Sequence, residues 1–365
     1  MIKFLDLQTQ YLGIKAEIDA AIASVIEQSA FIGGPGVAAF EREFAHYQQA
    51  DHCVGVANGT DAIEIVLEAL NLPRGSEVIV PANSFIATSE AVTRAGHRVV
   101  FADVDDNDYT LDVADVRKRI TKRTAAIVVV HLYGCPADMD ALMALGTEHG
   151  LKIIEDCAQA HGAEYHGRRV GGIGVAGTFS FYPGKNLGAY GDGGAIVTND
   201  AALARQCRMI ANHGRVEKYD HLFEGRNSRL DGLQAAILSV KLKHLDGWVA
   251  SRNSVADAYN RAFGGIPGII TPGARAGCHH AYHLYVIRVA DRDGLAAELL
   301  ASNIQTGVHY PIALPKLRAY AYLDQANAPM RANAHDASVL SLPIGEHLSD
   351  DDVDAVIEVV QRFLR

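Results

Sequence analysis

The sequence predicts an α/β protein: a large domain with a mostly parallel central sheet, followed by a smaller α+β C-terminal domain. Three observations carry that prediction. From about residue 50 to 200, short apolar runs alternate with helical patterns. Runs that are apolar on both faces and separated by helices belong to a parallel sheet covered on both sides. A helical stretch from about Leu230 to Trp248, with Leu233, Ile237 and Val240 on one face, then closes the series. Finally, 365 residues exceed the roughly 300 at which single cores stop growing. We expect a first unit over 1–247 and a second over 248–365.

The strand-like runs are, in order, Glu77–Val80, Val99–Val104, Ala125–Leu132, Lys152–Glu155, Thr178–Tyr182 and Ala195–Thr198. Helix-like segments such as Asp61–Leu70 and Asp138–His149 lie between them. In the first of these, Ile63, Val66, Leu67 and Leu70 recur at i, i+3, i+4 and i+7, the spacing of one helix face. The second unit shows a strand-like run, Leu284–Val289, and a final amphipathic helix carrying Val353, Val356, Ile357 and Val360.

Composition narrows the function classes. The chain is 49% hydrophobic and 21% charged with a net charge of −10, which argues against a nucleic-acid binder with its basic face. The short basic clusters Arg117-Lys118-Arg119 and Lys122-Arg123 read as solvated helix ends. Met1-Ile2-Lys3-Phe4-Leu5-Asp6 meets an acid too early for a signal-peptide core. No apolar run approaches the roughly 20 residues of a membrane span. The five cysteines are scattered and odd in number, with no CxxC, so buried reduced thiols in a cytoplasmic protein are expected. His161, His279 and His280 have no partner at metal-ligand spacing, and no metal is expected.

Two nucleotide-binding patterns fall on context. Gly172-Ile-Gly174-Val-Ala-Gly177 matches GxGxxG, but charged residues precede it and a strand-like run follows it, so no helix offers its N-terminus to a phosphate. Gly184-Lys185-Asn186 lacks the hydroxyl residue and upstream glycine spacing of a P-loop.

Three segments, each at a junction of elements, together describe a site for a phosphorylated pyridine. Asn58-Gly59-Thr60-Asp61 stands ahead of the amphipathic helix, where free N–H groups attract phosphate and glycine allows close approach. A plain N-cap by Thr60 explains that segment equally well when it is taken alone. A helix end contributes only about 0.3–1 kcal/mol to an exposed anion, so a firmly held phosphate needs further donors. In Lys152–Gly162, Asp156 follows a buried apolar run, at the carboxyl end of a strand where open α/β sheets place ligands. There a carboxylate can keep a pyridine nitrogen protonated, and a helix cap or structural ion pair would use it as readily. In Thr178–Gly188, Lys185 sits in a tight Pro-Gly turn between two apolar runs. A desolvated lysine amine loses its proton more readily and attacks aldehydes. Ser180 is a further phosphate donor.

These residues resemble the sugar-nucleotide aminotransferases of the DegT/StrS type, fold-type I pyridoxal-phosphate (PLP) enzymes of the aspartate aminotransferase superfamily. The similarity runs from Phe4-Leu5-Asp6-Leu7 and Phe31-Ile32-Gly33-Gly34-Pro35 to His309-Tyr310-Pro311. It is most specific at Glu155–Gly162, Ser180–Gly194 and Asn227-Ser228-Arg229-Leu230-Asp231 with Gln234-Ala235-Ala236. The resemblance implies that Lys185 holds the cofactor as a Schiff base and shuttles a proton. It implies that Asp156 pairs with the pyridine nitrogen and that Gln159 sits near the ring hydroxyl. Gly59, Thr60 and Ser180 would bind the phosphate. Asn227 would reach the phosphate of a neighbouring subunit, making a homodimer with shared sites. Phe85 would stack on the ring, although core packing accounts for a phenylalanine as well. His213, Tyr219, His309 and Tyr310 would line the sugar cleft, where ordinary structural roles compete.

The implied reaction moves an amino group from L-glutamate to a nucleotide-linked keto sugar, first of all C3 of a dTDP-linked 3-keto-6-deoxyhexose, in amino-sugar (O-antigen or glycan) biosynthesis. The alternatives are a UDP-linked 3-keto sugar, a dehydratase of the same family, and a non-catalytic or regulatory relative. Lys185 counts against the dehydratase, whose relatives carry histidine there. The intact set Asp156, Gln159, Ser180, Lys185 and Asn227 counts against the non-catalytic relative.

Overall fold

The computed structural model describes all 365 residues and is built around a seven-stranded sheet. Across the sheet the strands run His52–Val56, Gly194–Thr198, Ala176–Ser180, Lys152–Asp156, Thr124–Val130, Glu77–Pro81 and Arg98–Ala102. The last five pair in parallel, while Gly194–Thr198 is antiparallel to both its neighbours. The connections explain the mixture. A parallel pair needs a crossover of a dozen or more residues, usually a helix. Between Ser180 and Gly194 there is instead a helix-free loop, the one carrying Lys185, and the chain turns back on itself. The strand His52–Val56 escaped the sequence reading because Gly55 interrupts its apolar run.

The Gly59–Ala69 helix is capped by Asn58, whose side chain accepts from the Asp61 N–H at 2.8 Å. Thr60 is therefore not the cap, and lies inside the first turn. Met139–His149 is capped by Asp138 and ends at Gly150 in the left-handed region at φ 67°. The stretch expected as one helix from Leu230 to Trp248 is two, Gly232–Leu242 and Leu245–Phe263. At the break the Lys243 N–H donates to the Val240 carbonyl and the His244 N–H to that of Lys241, a tightened turn of i→i−3 bonds. That turn re-aims the chain. Leu245 and Val249 enter one core with the sheet, while Val255, Tyr259 and Phe263 enter another.

Apolar side chains from each face of the large sheet form a separate core. A third gathers around Tyr285–Val289 and Val339–Leu342, covered by Leu245–Phe263 and the terminal helix Asp350–Phe363. The chain then returns to the large sheet: Leu314, Tyr320, Met330 and Ala332 all pack on its face, with Tyr320 edge-on to Phe101 at 5.1 Å. Ion pairs tie the loop after Arg98–Ala102 to later residues, Asp106 to Arg288 at 2.8 Å and Asp108 to Arg275 at 2.6 Å. No helix is long and apolar enough to cross a membrane. All five cysteines are unpaired; four are buried and Cys278 is half-buried.

Candidate active site

A cavity of about 790 Å³ opens at the carboxyl ends of the parallel strands, within the size range of small-molecule sites. Gly59, Thr60, Phe85, Asp156, Gln159, Ser180, Lys185, His309 and Tyr310 all line it. Residues far apart in sequence meet there because Gly59 and Thr60 open a helix, Asp156 and Ser180 close strands, and Phe85, Gln159, Lys185, His309 and Tyr310 lie on loops that line the same cavity.

One end is built for an anion. The first turn of Gly59–Ala69 points its amides at the cavity, and Asn58 uses just one of them. Ser180 closes the same end, so near that a Cβ on residue 59 would lie 2.6 Å from the Ser180 Cβ. Glycine is required by that approach, not by an unusual φ. The two hydroxyls of Thr60 and Ser180 supplement the helix dipole, which alone would hold a phosphate weakly.

The same cavity holds Asp156, which closes the Lys152–Asp156 strand and is buried. One of its oxygens accepts from the Thr88 hydroxyl at 2.8 Å and the other from the Ala158 N–H at 3.1 Å. Ser84 in turn contacts Thr88 at 2.8 Å, completing a Ser84–Thr88–Asp156 relay. A carboxylate has about four acceptor positions, so two remain for a ligand N–H. Burial raises the Asp156 pKa, opposed by Thr88, Ala158 and the nearby Lys185 amine. A buried carboxylate with spare acceptor sites is matched to a cationic ring N–H.

Lys185 follows the Tyr182-Pro183-Gly184 turn, and its N–H donates to the Tyr182 carbonyl at 2.8 Å. The loop ends are pinned by the Ala189 N–H on the Phe181 carbonyl, and the Asn186 amide reaches the Ala281 carbonyl at 2.9 Å. Desolvation brings the Lys185 amine down to about 8, against a smaller upward pull from Asp156. About a tenth is thus neutral and nucleophilic at pH 7, and about half at pH 8. An anion cradle, an amine and a carboxylate arranged round one cavity fit pyridoxal phosphate: phosphate, aldehyde and ring nitrogen each find a partner.

The remaining wall is aromatic and polar. Phe85 is 54% exposed and faces the opening, 6.0 Å from the Tyr310 ring. Gln159 donates to the Tyr310 hydroxyl at 2.8 Å. The His309 ring contacts Ser341 at 2.8 Å, and burial followed by the Lys185 charge brings its pKa down to about 4, so it is neutral at physiological pH. His213, Tyr219 and Asn227 lie outside this chain's cavity. All three are exposed, Tyr219 at 84% beside the Arg215–Glu217 hairpin and Asn227 bridged to Asn212.

The GxGxxG loop has a different use. The Glu155 carboxylate, fully buried beneath the site, accepts from the N–H groups of Gly171, Ile173 and Gly174 at 2.7–2.8 Å. His131 supplies a further bond at 3.0 Å; its Nδ1 accepts from the Ala137 N–H, so its Nε2 carries the proton donated to Glu155. The glycine-rich amides thus grip the protein's own anion. His131, Glu155 and Cys157 form a compact group that could hold a metal, but the histidine nitrogens and the carboxylate are already engaged. His161 is fully buried beside Phe179 and Phe181, with neither ring nitrogen bonded.

Sequence reasoning missed Ser84, Thr88, His131 and Glu155. A signal existed for Glu155, an acid next to Asp156 inside an apolar run. None existed for Thr88, whose role depends on its helix facing a strand 68 residues later.

Comparison with known proteins shows the family. The model of the DegT/DnrJ/EryC1/StrS aminotransferase family matches residues 13–361. The erythromycin biosynthesis sensory transduction protein EryC1 of Saccharopolyspora erythraea is 47% identical over 99% of both chains. The dTDP-3-amino-3,4,6-trideoxy-alpha-D-glucose transaminase of Streptomyces venezuelae is 45% identical over 99% of this chain and 96% of its own. The crystal structure of S. venezuelae DesV in complex with a ketimine intermediate matches with a TM-score of 0.97 at 44% identity, covering 100% of this chain and 98% of that one. A cavity that pairs an anion-binding helix start with a softened lysine and a buried carboxylate, on a fold shared along nearly the whole chain, has one consistent reading: this chain belongs to the DegT/DnrJ/EryC1/StrS aminotransferase family of pyridoxal-phosphate-dependent sugar aminotransferases.

Proposed function

We propose that the chain transfers an amino group from L-glutamate to C3 of a dTDP-linked 3-keto-6-deoxyhexose, for amino-sugar (O-antigen or glycan) assembly in the cytoplasm. The observation that carries the chemistry is the meeting of Lys185 and Asp156 in one cavity. The sugar follows from the S. venezuelae transaminase, whose name specifies a dTDP-3-amino sugar. Bound pyridoxal phosphate supplies an aldehyde for the donor's amine and a protonated ring that accepts the electron pair freed at Cα. This chain's residues do the rest. Lys185 holds the cofactor and then moves the proton to and from the reacting carbon. Asp156, backed by Thr88, keeps a proton on the ring nitrogen. Gln159 would meet the ring hydroxyl and Phe85 would cover the ring face when the cofactor is bound. Thr60, Ser180 and the amides from Gly59 hold the phosphate. His309 and Tyr310 contact the sugar.

Asn227 completes the phosphate site of a second copy, so the working unit is a homodimer. Its exposure outside its own cavity supports this, as do His213 and Tyr219 on the same surface segment. In that dimer the last two face the neighbour's sugar cleft. One 47% identical relative is named a sensory transduction protein, which favours testing a regulatory reading directly. The experiment is the visible spectrum of the purified protein before and after L-glutamate. A yellow band that bleaches supports the transaminase. A bound cofactor that glutamate leaves unchanged refutes it and supports a sensor. Steady-state comparison of dTDP- and UDP-linked 3-amino sugars as reverse donors then decides the nucleotide.

A further inference from the structure

We infer that Tyr133 is a positioning residue for the sugar-facing wall: its amide sets Gln159 and its hydroxyl sets the His309–Tyr310 segment. The inference rests on the cavity roles proposed above for Gln159, His309 and Tyr310.

Tyr133 follows the Thr124–Val130 strand and is 1% exposed, so it touches neither solvent nor, directly, the cavity. Its backbone lies at φ 59°, in the left-handed region that side-chain-bearing residues seldom adopt. Such a conformation persists where surrounding contacts over-determine it, and these gather at functional sites. The contacts here are specific. The Tyr133 N–H donates to Gln159 Oε1 at 2.7 Å. With that oxygen committed, the Gln159 amide can point just one way, and its Nε2 donates to the Tyr310 hydroxyl at 2.8 Å. The Tyr133 hydroxyl donates to the His309 carbonyl, which closes a ring of bonds through residues 133, 159, 310 and 309.

The ring has a chemical consequence. Because the Tyr310 oxygen already accepts from Gln159, its own O–H proton is left to donate into the cavity. Burial raises the Tyr310 pKa, so the group stays a neutral phenol. A neutral donor suits a hydroxyl or carbonyl oxygen on the sugar. The aromatic body of Tyr133 is held separately, edge-on to Tyr109 at 5.4 Å. The phenol oxygen, which also accepts from the Asn83 amide at 3.4 Å, is therefore separable from the packing of the ring, and Tyr133→Phe removes its hydrogen bonds without the packing.

The test compares Tyr133→Phe with the unaltered protein, both as holoenzyme. Each half-reaction is read as loss of the visible cofactor band, started by L-glutamate or by a dTDP-3-amino-3,6-dideoxyhexose run in reverse. Removing one hydrogen bond to a positioning segment is expected to weaken the sugar half-reaction by up to about tenfold, with a smaller effect on the glutamate half-reaction. Tyr133→Phe combined with Tyr310→Phe should cost less than the sum of the two, since both act through one ring of bonds. Equal losses in the two half-reactions, or strict additivity, would overturn the inference. Amide hydrogen exchange gives a readout independent of the substrate. In Tyr133→Phe the peptides covering 307–312 should exchange faster while those covering 185–189 do not, and unchanged exchange at 307–312 refutes the positioning role even if no sugar reacts. A failure of the unaltered protein to react with either amine, with the exchange result as expected, would fault the proposed reaction and not Tyr133. Should Tyr133→Phe not fold, Tyr310→Phe alone must show the same preferential loss in the sugar half-reaction.

Discussion

The softened amine of Lys185 makes a quantitative prediction about how the apoprotein captures its cofactor. An ordinary lysine, near 10.5, is only about 0.3% neutral at pH 8, whereas one brought down to about 8 is roughly half neutral. The ratio is on the order of 150-fold in the nucleophilic form. The cause is desolvation, with Asp156 pulling the other way. The sign is therefore fixed: capture should be fast above pH 8 and fall as pH drops through that value, because the protonated amine cannot attack the aldehyde. The assay mixes apoprotein with pyridoxal phosphate between pH 6.5 and 10.5, traps the product with borohydride, and locates the modified lysine by peptide mass. The expected midpoint is about 8, with the label on residue 185. Lys241 provides an internal control. Burial also brings its amine down to about 8, yet it is 1% exposed and donates to the Gly188 carbonyl at 2.6 Å, away from the cavity. It should remain unlabelled. A capture rate that keeps rising to pH 10.5, or label on another lysine, would refute the reasoning.

Two further perturbations separate the chemistry from the scaffold. Asp156→Asn keeps a side chain that Thr88 can still meet but removes the charge that stabilises a ring N–H. Cofactor should still bind, while bleaching by L-glutamate slows by about 100-fold or more, as expected when an electron sink is lost. The same change removes the upward pull on Lys185, so the capture midpoint should move below that of the unaltered protein. Glu155→Gln instead attacks the buried anion that holds the 171–174 loop. Burial opposes the charge on Glu155, but His131 and the loop amides outweigh it and hold the pKa below its ordinary value. Glutamine would set an NH2 against donors already pointing inward. Leaving a buried donor unsatisfied costs about 1–3 kcal/mol, and at this chain length that lowers Tm by roughly 1–4 °C. An unchanged Tm by calorimetry would contradict that account.

Local patterns made much of this protein readable. The strand at Lys152–Asp156, the helix opening at Gly59 and the turn at Lys185 each carry their own signal: a doubly buried apolar run, a helical period behind a glycine, a Pro-Gly pair. Those three gave the α/β architecture and the anion cradle, carboxylate and amine in separate pieces. The sequence also rejected the GxGxxG match, because no helix follows it. It did not show that the loop serves Glu155, since that bond joins residues 16 to 19 positions apart around a strand. The break at Lys243-His244 was equally hidden, because an apolar period continues across it while the direction of burial changes.

What the sequence alone determined was the set of reactive groups and the class of element that presents each, since helix starts and strand ends are fixed by neighbours within a few residues. What only the tertiary structure decided was the pairing of those groups. Thr88 with Asp156, Gln159 with Tyr310 and Tyr133 with His309 are joined across 68, 151 and 176 residues. The neutral amine of Lys185 belongs to the same category. Its pKa follows from the water that the assembled cavity excludes, and desolvation is a property of everything packed around a group and not of its own place in the chain.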